Sequence, residues 1–132
     1  MPALAERELV NEFLAAQTIV IGAPMYNFTL PSQLKAWIDR ILINGVTFRY
    51  TATGPEGLAG GRRVIVALAR GGLYGAGSPA EGAEHVESYL RAAFGFIGIV
   101  PEFVLAEGIA IGPEQRETAL ARATEQAKGL AA

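Results

Sequence analysis

Cysteine is absent from the 132 residues, and histidine and tryptophan occur once each. Without thiols there is no disulfide, no thiolate nucleophile, no Cys-ligated zinc and no iron–sulfur cluster, a usage that fits a reducing compartment. One histidine and no cysteine leave a transition-metal site without its usual ligands, so no metal is expected. A dominant charge is missing as well. Eleven basic residues stand against 13 acidic ones, for a net charge of −2, and the basic residues do not cluster. No electrostatic footprint for nucleic acid or acidic lipid is therefore expected. No apolar run approaches the ~18–20 residues of a membrane span; the longest, 92–100, has nine residues, two of them glycine. The opening MPALAERELV has no basic segment before an apolar block, so no secretory signal is read and a cytoplasmic location is expected. No Ser or Thr sits in a G-x-S-x-G elbow, and G-L-Y-G-A-G at 72–77 departs from the dinucleotide spacing G-x-G-x-x-G. No catalytic acid–base pair or nucleophile stands out.

What is there is alternation. Residues 3–15 carry Leu9, Val10, Phe13 and Leu14 at helical spacing. "TIVIGA" follows, apolar at every position, as a strand covered on both sheet faces requires, and it reads as a central parallel strand. A helix over 31–44 opens on Pro31, places Leu34, Trp37, Ile38, Ile41 and Leu42 on one stripe, and stops at Asn44-Gly45. Residues 46–61 form an extended loop with a short β-ribbon around 47–51. "RVIVALA" at 63–69 is a second buried strand. A helix over 82–97 carries Val86, Tyr89, Leu90, Ala93, Phe94 and Ile97 on one face, with His85 on its polar side. "EFVLAEG" is a third strand, and a helix from Pro113 to about Lys128 turns Leu120, Ala123, Ala127 and Leu130 inward. The order predicts one α/β domain over 1–132. It should be a three-layer sandwich with parallel strands near 17–22, 63–69 and 100–106, joined by right-handed crossovers. Three strands make a small sheet for that architecture, and the chain opens on a helix.

In open α/β sheets a ligand sits beyond the carboxyl ends of the strands. The loops there are 23–30, 70–81 and 107–112. The first offers Met25, Tyr26, Asn27 and Phe28: two rings, a thioether and an amide, which suit a flat heteroaromatic ligand. Arg70, Gly71 and Gly72 place a cation beside backbone with no side chains, which allows a planar ring to approach closely.

Taken in order, "APMYNF", "LK.W.DR", "GVTFRYTATGPEGLAGGR", "ARGG", "FGFIGI" and "AEGIAIGPE" resemble the bacterial FMN-dependent NADH:quinone oxidoreductase and azoreductase family, colinearly over residues 8–130. The resemblance implies a flavodoxin-like homodimer with one FMN per subunit near the dimer interface. It implies that Met25, Tyr26, Asn27 and Phe28 hold the isoalloxazine, largely through backbone groups, with Arg70, Gly71 and Gly72 as the second flavin loop. Where the family usually has Ser, this chain has Ala69, which removes one hydroxyl hydrogen bond. Tyr50 and Phe96 match aromatic positions of the substrate pocket. The implied reaction is ping-pong, with NADH as donor and a quinone or azo compound as acceptor; the cofactor carries the chemistry and the protein supplies orientation and a dry slot.

The same resemblance implies a strand, a Ser-rich phosphate loop and a second strand ahead of residue 1, so the chain reads as N-terminally truncated. The first strand should then have a bare edge, and FMN should be held weakly or not at all, with little NADH-dependent activity. The competing readings are an inactive flavodoxin-like remnant that holds no flavin, and a flavodoxin-type electron carrier.

Overall fold

A computed structural model describes residues 4–130, in the order α1 (Leu4–Ala15), β1 (Thr18–Pro24), α2 (Ser32–Ile41), β2 (Phe48–Thr51), β3 (Gly54–Gly57), β4 (Arg63–Arg70), α3 (Glu87–Phe96), β5 (Glu102–Glu107) and α4 (Pro113–Leu130). The expected start of the first helix, residue 3, lies outside the described residues. The sheet order is β1-β4-β5, all parallel, with Thr18 opposite Arg63 and Ile65 opposite Glu102. The expected ribbon is present: β2 and β3 pair antiparallel, Phe48 opposite Gly57.

The core lies on one face of the sheet. Ile21, Ala23, Val64, Val66 and Leu68 meet Phe13 of α1, Ile38 and Ile41 of α2, and Leu90, Ala93 and Phe94 of α3. These residues share a face because side chains alternate along a strand and recur every three or four residues along a helix. On the other face α4 covers β5, burying Val104 and Ala106, and Gln126 donates to the Phe103 carbonyl at 2.8 Å. Three layers result, as expected, but the second helical layer is narrow.

That narrowness corrects two expectations. β1 is not the central strand its continuous apolarity predicted but has the bare edge the family resemblance implied: among the described residues it pairs only with β4, and Val20 is 71% exposed. Its apolar outer face is left open, because α4 lies over β5: Val20, Ile65 and Ala67 share an open groove of about 390 Å³ with Ala127 and Leu130 of α4. Nor does α4 turn a buried stripe inward. None of its residues is fully buried, and Leu120 is exposed.

Two helix boundaries also move. α2 ends at Ile41 rather than at Asn44, because the buried Thr47 hydroxyl donates to the Ile41 carbonyl at 2.6 Å and accepts from the Ile43 amide, turning the chain early. The helix expected over 82–97 splits into a 3-10 turn, Glu81–Ala83, and α3. The break falls where the Glu84 carboxylate accepts from the Glu87 and Ser88 amides, which supplies the cap for α3.

Candidate functional site

At the carboxyl edge of the sheet β1 runs one residue further, with the Met25 amide donating to the Ala69 carbonyl at 2.8 Å. The chain then makes a two-residue hairpin. Tyr26 and Thr29 exchange backbone hydrogen bonds of 2.8 and 3.0 Å, and the central residues Asn27 and Phe28 have φ of 44° and 75°. Two successive positive φ values are the signature of a type I′ turn. Asparagine tolerates that state, whereas phenylalanine is strained in it. Tyr26 and Phe28 stand 61% and 51% exposed, with the Phe28 ring edge-on to Tyr74 at 6.4 Å. The Asn27 and Phe28 amides have no partner among the described residues.

Two bonds hold the hairpin from the side: the His85 amide donates to the Phe28 carbonyl at 2.9 Å, and the Thr29 hydroxyl to the His85 carbonyl at 3.1 Å. Beneath it, Leu30 is buried and Pro31 leads into the uncapped N-terminus of α2.

The glycine loop lies beside it. Gly71 and Gly72 accept through their carbonyls from Ala110 and Gly108 at 3.1 and 2.9 Å. A Cβ at Gly71 would come within 3.2 Å of Ala110, and one at Gly72 within 3.2 Å of the Tyr74 ring, so both positions favour glycine by close approach.

The Arg70 side chain does not face this loop. It is 3% exposed, with Nη1 3.1 Å from Glu84 Oε2 and Nε 3.5 Å from Glu107 Oε2. The expected ligand-facing cation is an internal ion pair; what Arg70 offers outward is backbone.

Tyr50 and Phe96 lie elsewhere. With Phe48 they form an aromatic cluster, at ring separations of 5.6 Å (Phe48 to Tyr50) and 4.7 Å (Phe48 to Phe96). The cluster belongs to the amino edge of the sheet, where Ala59 bonds Ile97, Leu58 bonds Thr47, and Arg62 bonds the Leu14 carbonyl just before β1. α3 runs from the hairpin's pole to the cluster's pole, and its ten residues span about 15 Å at 1.5 Å per residue. One chain therefore brings residues 25–28 and 70–72 together and keeps Tyr50 and Phe96 apart from them. Gly57 makes the cluster possible, since a Cβ there would stand 2.3 Å from the Gly98 amide nitrogen.

Sequence reasoning missed Tyr74, Glu84 and Glu107. The loop of Tyr74 was the only signal for it, and carboxylates this far along the chain from Arg70 leave no local pattern.

Known proteins resemble this chain in sequence and in structure. The sequence pattern of a family described as having a flavodoxin-like fold matches residues 1–130. An FMN-dependent NADH:quinone oxidoreductase of Methylorubrum extorquens is 65% identical over 127 residues, covering 96% of this chain and 63% of the relative. A second such enzyme, from Bradyrhizobium diazoefficiens, is 63% identical over 97% of this chain and 64% of its own length. Among solved structures, azoreductase AzrA superposes with a TM-score of 0.89 at 35% identity, covering 96% of this chain and 61% of that one. An FMN-dependent NADH-azoreductase from Bacillus anthracis, in complex with FMN, superposes at 0.83 with 36% identity, covering 97% and 62%. The chain spans just under two thirds of the length of these relatives.

Proposed function

The chain belongs to the flavodoxin-like fold family, and from that premise we propose that it is an FMN-binding domain, residues 1–132, of a cytoplasmic NADH oxidoreductase that reduces quinones and azo compounds. The observation that carries the reading is the strained 26–29 hairpin. It holds two exposed rings and two amides unpartnered among the described residues, beside a glycine loop at the edge of the sheet where ligands bind. Aromatic faces for stacking and amides for hydrogen bonding fit the face and edge of an isoalloxazine. The 65% identity to an FMN-dependent NADH:quinone oxidoreductase supports the same reading.

When bound, FMN would supply the two-electron chemistry between NADH and the acceptor. The chain's part is positional. Met25, Tyr26, Asn27 and Phe28 grip and orient the ring, and Gly71 and Gly72 let it approach the backbone beside Arg70. Tyr50 and Phe96 are the pocket residues that exclude water over the ring. Because they lie at the opposite pole of their own chain, they serve a site on a second copy, and the functional unit is a homodimer. No helix among the described residues is long and apolar enough to cross a membrane.

The test is a titration of FMN into the purified chain, carried into the weak-binding range expected of it and followed by flavin fluorescence quenching. Tyr26→Ala and Asn27→Ala are each expected to weaken binding roughly tenfold, about 1.4 kcal/mol, with the thermal midpoint little changed. Unchanged affinity in both variants overturns the site.

A further inference from the structure

A buried arginine whose side chain turns away from the ligand loop to lie between two carboxylates calls for a role of its own. Arg70 ends β4, and its guanidinium reaches Glu84, which precedes α3, and Glu107, which ends β5. Each carboxylate does a second job. Glu84 caps α3 through the Glu87 and Ser88 amides, and the next residue, His85, holds the hairpin by its bonds with Phe28 and Thr29. Glu107 Oε2 accepts from the Tyr74 amide at 3.1 Å, which fixes the turn after Gly71 and Gly72 and places the ring that meets Phe28.

We propose that Arg70 is a positioning residue with two separable arms. The Glu84 arm sets the strained 26–29 hairpin, and the Glu107 arm sets the 71–74 loop. The guanidinium suits this role because it is a rigid planar fork that stays charged: Nη1 donates to Glu84 at 3.1 Å, while Nε, buried and without a hydrogen-bond partner among the described residues, holds Glu107 by charge alone at 3.5 Å. Lysine, a point charge on a flexible stem, cannot hold both in fixed directions. Glu84 is 9% exposed and Glu107 25%, so the Glu84 arm is the better shielded of the two and should couple more strongly. The value of the clamp to a flavin site rests on the function proposed above; the clamp itself does not.

Amide hydrogen exchange on the ligand-free chain reads each arm separately. In Arg70→Lys, the His85 and Tyr74 amides should both exchange at least about tenfold faster, while Val66, in the middle of β4, keeps its wild-type rate. In Glu107→Gln, which leaves the Glu84 pair intact, Tyr74 alone should speed up and His85 should stay protected. This second variant alters the more exposed carboxylate and keeps the test open if Arg70→Lys fails to fold. Wild-type protection of both amides in Arg70→Lys, or equal loosening of Tyr74, His85 and Val66 in Glu107→Gln, overturns the proposal. FMN affinity of Arg70→Lys should fall in step with His85 protection. Loosened amides with unchanged FMN affinity would uphold the clamp and count against the flavin site instead.

Discussion

Phe28 is the residue at which backbone energy and ligand chemistry meet. Its φ of 75° is a state that costs a non-glycine residue roughly 1–3 kcal/mol. Phe28→Gly would relieve that strain, but it would also free the unfolded chain by about 0.5–1 kcal/mol and remove a ring contact with Tyr74 worth about 0.5–1.5 kcal/mol. These terms nearly cancel. The variant is expected to melt within a few degrees of wild type and to bind FMN about tenfold more weakly or worse, checked by thermal unfolding and fluorescence titration. A large fall in stability would instead make Phe28 a packing residue. The aromatic composition of this loop is legible in the sequence, and Asn27 hints at a turn. The direction of Arg70 is not legible, because a charged residue beside Gly-Gly suggests an outward cation and its partner Glu84 stands 14 positions away.

Among the elements, β4 and β5 carry a second ion pair that can be read by pH. Arg63 hydrogen-bonds both Glu102 oxygens across the strand pair, with Nη2 3.0 Å from Oε1. Those bonds hold the Glu102 carboxyl below its ordinary value of 4.5. A lowered carboxylate contributes stability above its unfolded value and loses it as pH falls through the folded one. Wild type should therefore unfold at higher urea than Glu102→Gln near about pH 7, and the gap should close as pH falls from the ordinary carboxylate range toward about pH 3. A gap independent of pH would assign the difference to shape rather than charge. The pair is well exposed, so the effect is modest and should shrink in salt. The strands themselves are legible because β-branched runs mark them to within two residues. The position of β1 is not legible in its own composition, although the family resemblance implied its bare edge. "TIVIGA" says that both faces tolerate burial, while which faces are covered depends on helices far along the chain. Helix ends misled for a similar reason: Thr47 and Glu84 stop or start their helices by side-chain hydrogen bonds that periodicity does not encode.

For the whole molecule, the two aromatic groups at opposite poles make a demand that one copy cannot meet. The hairpin with Tyr26 and Phe28 stands at the carboxyl edge, and Tyr50, Phe48 and Phe96 stand at the other end of α3. Tyr50 is 66% exposed, more than the packing of its own chain requires. If each site takes its hairpin from one copy and its pocket rings from the other, a defect in each part can be complemented in a mixed dimer. Asn27→Ala disables the seat and Tyr50→Ala the pocket; alone, each gives a homodimer with two impaired sites. Mixed one to one and allowed to exchange, half of the dimers carry both chains, and each of those contains one site with neither defect. With FMN held near the wild-type dissociation constant, so that a tenfold weaker seat stays mostly empty, the mixture should recover up to about a quarter of the wild-type NADH–quinone rate beyond the residual activities. The gain should vanish in a mixture of Asn27→Ala with Tyr26→Ala, since both lesions then fall in the seat. A mixture that performs only as the average of its parts would place Tyr50 over the hairpin of its own chain, or outside the pocket altogether.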